Sequence, residues 1–154
     1  MLTDEEKRIL LQNRLFAELS AKRLDGLLQR LAARTACYGK NSVIWGMGEQ
    51  IDRAGIVLSG RVEAWRYTPD GQESLAAVHE AGGLFGDVLM SARTVGSPVE
   101  LRTAAPSKIL FLSLDALPVS YTHLDVYKRQ GRLRQGLCLL FQQLVQGFFH
   151  AAAN

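Results

Sequence analysis

Cysteine, histidine, long apolar runs and charge of one sign are all scarce in this chain, and each scarcity excludes a class of function. Cys37 and Cys138 are the two cysteines, far apart and outside any CxxC pattern. They suggest neither a disulfide framework nor a cysteine metal site, and a reducing cytoplasm is the expected compartment. His79, His123 and His150 are too few and too scattered for a ligand set converging on one metal, so no metal or other cofactor is expected. No apolar run approaches the roughly 20 residues that cross a bilayer. Met1-Leu2-Thr3 leads straight into Asp4-Glu5-Glu6-Lys7, so neither a secretory leader nor a membrane partner is expected. The 18 basic and 15 acidic side chains leave a net charge of +3, too small to diagnose a nucleic-acid surface by itself. What is present, 47% hydrophobic residues in 154, suffices for one soluble domain with a proper core.

Thr3 and Glu6 form a capping box for a first helix, with Ile9 and Leu10 on its apolar side. Leu15, Phe16 and Leu19 make an apolar connector, and Ser20 is a candidate N-cap. Leu24, Leu27, Leu28 and Leu31 then recur at helical spacing, a core stripe with Lys22, Arg23 and Arg30 on the wet side. From about Thr35 the pattern changes to short runs cut by turn signals. Val43–Trp45, Gly55–Leu58, Arg61–Tyr67, Ser74–His79, Val99–Thr103 and Lys108–Leu112 read as strands, and Pro69-Asp70-Gly71 as a hairpin turn. The expected fold is mainly β, a jelly roll with helices at both ends.

Ala81-Gly82-Gly83-Leu84-Phe85-Gly86-Asp87 is the stretch around which the rest is arranged. Its glycines allow positive φ and close approach of a ligand to the backbone. A helical turn opening at Asp87 would aim unpaired N–H groups at an anion, although such a loop by itself also serves as a tight turn.

Residues 118–130, Pro118 to Gln130, have neither helical period nor turn signals. They resemble translated sequencing-adapter bases and are expected to be foreign to the natural protein. Beyond them Leu133, Leu137, Leu140, Leu144 and Phe148 form a heptad-like seam on one helix, interrupted by Gly136 and Gly147. No helix-turn-helix pattern follows.

In order along the chain, Tyr38-Gly39-Lys40-Asn41-Ser42-Val43-Ile44, Gly48-Glu49, Gly55-Ile56-Val57-Leu58-Ser59-Gly60-Arg61-Val62 and Gly82-Gly83-Leu84-Phe85-Gly86-Asp87 resemble the cyclic nucleotide-binding domain of the bacterial Crp–Fnr regulator superfamily. The resemblance covers roughly Leu15 to Leu117. It implies a double-stranded β-helix of the jelly-roll kind, preceded by helices and followed by a long dimerisation helix. The expected organisation is an effector domain over 1–117, the foreign segment, and a truncated dimerisation helix over 131–154 whose Leu133, Leu137, Leu140 and Leu144 join a homodimer. DNA is expected as a partner only through a C-terminal domain absent from this sequence, and the small-molecule effector is left unidentified.

The family's cyclic-nucleotide binders carry a glutamate at the position of Asp87 for the ribose hydroxyl. They carry an arginine and then a serine for the phosphate, where this sequence has Ser97 and Pro98. Serine cannot neutralise a phosphate and proline offers no N–H. Arg93 is a candidate replacement, whereas Arg102 alternates to the opposite face from Ser97 on a regular strand. The candidate effector-binding set is Gly83, Leu84, Phe85, Gly86, Asp87, Arg93, Ser97, Pro98 and Val99. The family's iron–sulfur and haem sensors need a cysteine cluster or an axial ligand, but Cys37 stands alone in its half and His79 reads as a polar strand-end residue. Cys37 and Cys138 read as small buried residues, and Trp45 and Trp65 as packing residues. A sensor domain of a regulator is the first reading. A stand-alone module acting through a partner protein is the second, and a cupin-type metalloenzyme is disfavoured by the histidines.

Overall fold

A computed structural model of the chain describes residues 1–13, 16–17, 19–86 and 96–113. Leu15, Asp87, Arg93, Cys138, the segment 118–130 and the proposed dimerisation leucines Leu133, Leu137, Leu140 and Leu144 lie outside the described residues.

The chain opens with α1 (Asp4–Gln12) and α2 (Ala21–Arg30). The capping box of α1 is present, the Thr3 amide donating to Glu6 Oε2 at 2.8 Å and the Glu6 amide to Thr3 Oγ1 at 3.2 Å. Ser20 caps α2, its hydroxyl accepting from the Arg23 amide. Eight strands follow: β1 (Arg34–Tyr38), β2 (Val43–Trp45), β3 (Arg53–Ser59), β4 (Val62–Tyr67), β5 (Glu73–His79), β6 (Leu84–Phe85), β7 (Glu100–Thr103) and β8 (Ser107–Ser113). They form two four-stranded antiparallel sheets, ordered β1-β8-β3-β6 and β2-β7-β4-β5. The mainly β, two-sheet architecture expected from the turn spacing is the one observed.

Period-two alternation explains how the layers stack. On β3, Ile56 and Leu58 point to one core while Val57 points to another; on β8, Leu110 and Leu112 separate in the same way from Ile109 and Phe111. The first core joins these strands to Leu10, Phe16, Leu24, Leu27, Leu28 and Leu31, so the helices cover the outer face of the first sheet. The second lies between the sheets and contains Trp45, Val62, Ala64, Phe85 and Leu101. A sheet covered on both faces needs strands apolar on both sides, which is why Ala54–Leu58 and Ile109–Leu112 are continuous buried runs. The second sheet keeps a wet face, and β4 and β7 alternate accordingly.

Cys37 corrects the expectation of a buried small residue, because it is exposed. Strand β1 lies at a sheet edge, and Ala36 and Tyr38 turn toward the inter-sheet core, so alternation directs Cys37 away from it. Gly60 ends β3 with φ 90°, and a Cβ there would overlap Ser107 Oγ and the Pro106 carbonyl. That close approach accounts for the glycine in the Ser59-Gly60-Arg61 string.

Candidate functional site

The glycine loop is held from two sides. After β5 the chain turns, the Gly83 amide donating to the Glu80 carbonyl at 2.7 Å, with Gly82 at φ 86°. The Gly82 amide donates to the Val57 carbonyl at 2.7 Å and the Val57 amide to the Gly83 carbonyl at 3.0 Å. Strand β6 continues this attachment with Ile56 opposite Leu84 and Gly55 opposite Phe85. From the helical layer, Asn13 Nδ2 donates to the Gly82 carbonyl at 2.8 Å. The Gly83 N–H thus serves the turn.

Phe85 is buried and central to an aromatic cluster. Its ring centroid lies 5.4 Å from Trp45, 6.4 Å from Phe111 and 5.6 Å from His79. The ring occupies the space a Cβ on Gly55 would need. Gly86, at φ 80°, admits Trp45 in the same manner: a Cβ there would lie 2.9 Å from Trp45 Cη2 and 3.5 Å from Cζ2. Trp45 is thus the packing residue anticipated, but its buried Nε1 has no hydrogen-bond partner among the described residues. His79 ends the edge strand β5 and is half-buried, in keeping with a strand-end residue.

Ser97 is 2% exposed and held by the segment that follows β2. The Gly48 amide donates to the Ser97 carbonyl at 2.7 Å, and the Ser97 amide donates to the Glu49 carbonyl at 2.8 Å. The Ser97 hydroxyl donates to the Val99 carbonyl at 2.7 Å and accepts from the Val99 amide at 3.3 Å. Gly96 is needed here because a Cβ would overlap the Gly48 backbone. Pro98 is exposed and Val99 lies in a bend packed against the inter-sheet core, so β7 begins at Glu100 rather than at Val99. Ser97 therefore sits before the regular strand, and simple alternation does not relate it to Arg102.

Arg102 belongs to the wet face of the second sheet. Its guanidinium lies 4.5 Å over the Trp65 ring and pairs with Glu73 at 3.5 Å and Glu100 at 3.9 Å. Tyr67 donates to Glu100 at 2.9 Å, and this bond to a carboxylate raises the phenol above its ordinary pKa. No group of three or more His, Cys, Asp or Glu able to hold a metal occurs among the described residues, and no described helix is long and apolar enough to cross a membrane.

Of the candidate set, Gly83, Leu84, Phe85 and Gly86 share the loop; Ser97, Pro98 and Val99 form a separate turn; Asp87 and Arg93 lie outside the described residues. Sequence reasoning missed Asn13, Gly96 and the unpartnered Trp45 donor. Gly96-Ser97-Pro98 is a turn signature, so it was the one legible signal among them.

Comparison with known proteins agrees with this architecture. Residues 36–118 match the cyclic nucleotide-binding domain, and the chain belongs to that family. It is similar to the N-terminal domain of a transcriptional regulator from Streptomyces coelicolor A3(2), with 21% identity and a TM-score of 0.63 over 94% of this chain and 92% of that one. It is also similar to DNR from Pseudomonas aeruginosa, with 21% identity and a TM-score of 0.65 over 99% of this chain and 62% of that one. A third similarity is to the Thermus thermophilus catabolite activator protein, with 19% identity and a TM-score of 0.62 over 92% and 60% of the two chains. The chain thus spans about three fifths of the longer regulators. No curated protein matches the chain significantly.

Proposed function

We propose that this member of the cyclic nucleotide-binding domain family is the effector-sensing and dimerisation part of a Crp–Fnr-type bacterial transcription regulator, working by binding rather than catalysis in the cytoplasm. Its pocket is degenerate and does not hold cyclic AMP tightly. The observation that carries this reading is Ser97. It stands where the family resemblance calls for a phosphate-binding arginine, and its amide, carbonyl and hydroxyl are all engaged within the chain. A phosphate leaving water needs an opposite charge or several aimed donors. Removing one member of a buried charge pair costs about 3–5 kcal/mol, a loss that roughly corresponds to a hundred- to several thousand-fold in affinity. The Gly83 amide, bonded to Glu80, cannot offset that loss without giving up its turn.

Dimerisation is assigned to the seam of Leu133, Leu137, Leu140 and Leu144, whose spacing suits a helix pairing with its copy. DNA binding would belong to a further domain of the kind that completes the longer regulators. Calorimetric titration with cyclic AMP and cyclic GMP, alongside light scattering for the dimer, tests the proposal. No heat of binding in the low micromolar range is expected. A dissociation constant at or below that range would overturn the degenerate-pocket reading and direct attention to Arg93, and a monomer would overturn the dimer.

A further inference from the structure

Exposed large apolar side chains gather on the outer face of the second sheet. Val43, Leu75 and Val78 are 54%, 47% and 38% exposed. They stand opposite Arg102, Trp65 and Glu63 respectively, on the side turned away from the inter-sheet core. Register also sets Val43, Arg102, Glu63 and Val78 in one row, since Arg102 stands opposite Glu63 on β4. Glu63 faces out between the core residues Val62 and Ala64, as Arg102 does between the buried Leu101 and Thr103. The row therefore reads apolar, basic, acidic, apolar across the full width of the sheet, from β2 through β7 and β4 to β5. One side chain fixes both charges: the Arg102 guanidinium lies 4.5 Å over the Trp65 ring, and Trp65 Nε1 donates to Glu63 at 3.0 Å. Charges held in this way lose little further freedom when a partner meets them.

Read backwards, this row is its own complement. A two-fold axis lying between two such faces and parallel to the strands reverses the strand order of the second copy, so β2 stands over β5 and β7 over β4. Val43 then meets Val78 of the second copy and Arg102 meets its Glu63, each contact being made twice. Symmetric pairing requires a self-complementary patch of this kind, and sheets packed face to face keep their strands nearly aligned. We infer that the outer face of the second sheet pairs with the same face of a second copy of this chain. This interface is separate from the leucine seam and independent of the effector reading. The other acids are served within each copy, since Glu100 accepts from Tyr67 and both Glu73 and Glu100 flank Arg102. Four strands about 4.8 Å apart make a face on the order of 300–400 Å² per copy, roughly half of a standard interface, so pairing is weak and reversible.

Analytical ultracentrifugation of the full 154-residue chain tests the inference, with Leu137→Asp and Leu144→Asp added so that the seam does not contribute. This chain should still dimerise reversibly, with a dissociation constant of about 10–500 μM. On that background Val43→Lys or Val78→Glu should each weaken pairing roughly tenfold or more, because each sets a charge against a valine. An equimolar mixture of the two variants should pair more tightly than either alone, the introduced lysine meeting the introduced glutamate. Both positions are exposed and lie on edge strands, so the variants should fold, which circular dichroism checks. Should one fail to fold, the unsubstituted face decides by NMR: the Trp65 indole N–H should shift with protein concentration while that of Trp45 stays fixed. A monomer at about 1 mM overturns the inference, as does a Trp65 signal indifferent to concentration. A dimer unaffected by both substitutions, or a mixture no tighter than its components, overturns it equally. None of these results touches the effector reading, and the seam is judged separately, by whether Leu137→Asp with Leu144→Asp lowers the mass of the parent chain.

Discussion

The two cores of this protein are built from the same strands by different rules. The helix-side core combines Leu10, Phe16, Leu24, Leu27, Leu28 and Leu31 with Ile56, Leu58, Leu110 and Leu112, and is almost wholly aliphatic. The inter-sheet core sets Trp45, Phe85 and Phe111 in edge-to-face contacts and keeps glycine where their rings would otherwise collide with a Cβ. Aliphatic side chains of similar volume can replace one another at modest cost, whereas fitted aromatic rings over glycine backbone tolerate little change. The helical layer thus stabilises the first sheet, and the inter-sheet side fixes the shape behind the glycine loop.

That division predicts separable failures. Leu27→Ala removes a fully packed side chain from the helix-side core and should cost about 2–5 kcal/mol, the largest effect considered. Urea unfolding measures the loss, and the folded variant should keep the wild-type tryptophan emission. A change in emission as large as that from a glycine substitution would dissolve the distinction between the cores.

Gly55→Ala should cost less, about 1–3 kcal/mol, because Phe85 must rotate or shift to admit the Cβ. Since Phe85 touches Trp45, the near-ultraviolet circular dichroism should change in the folded variant even where the unfolding midpoint falls only modestly. An unaltered aromatic spectrum would mean that the loop side adapts as readily as the helix side.

The helix-side core was largely legible in the sequence, because its leucines lie at local helical spacing and its caps are short-range motifs. The inter-sheet strands were legible as runs, and β3 and β8 as the apolar ones, since burial on both faces removes alternation. The site itself was legible only by composition. That Gly83 spends its N–H on Glu80, that Ser97 is bound to Gly48, Glu49 and Val99, and that Asn13 reaches Gly82 are matters of long-range register or turn geometry. No local spacing encodes them. Cys37 failed for a related reason: its residue type suggests burial, but the edge position of β1 sets its exposure.

The smallest expected effect concerns the tie between the helical layer and the first sheet. Glu6 uses one carboxylate oxygen in the capping box of α1 and the other to accept from Lys108 Nζ on β8 at 2.6 Å. The Lys108 hydrogen bond lowers the Glu6 pKa from the ordinary 4.5, partial burial opposes the shift, and the bond with the Thr3 backbone adds to it. A carboxyl whose folded pKa lies below its unfolded one contributes stability that is fully present above the unfolded value and disappears as pH falls through the folded value. The side chains are 14% and 28% exposed, so water screens the pair and its contribution should be at most about 1 kcal/mol. Glu6→Gln keeps the shape and a cap acceptor while removing the charge. Denaturation at neutral pH should therefore find the variant slightly less stable, with the gap narrowing in high salt and closing as pH falls below the lowered folded value, where the wild-type carboxyl also becomes neutral. A gap unchanged at low pH would assign the contribution to cap geometry instead of to the ion pair, and the link between the layers would then be one of shape alone.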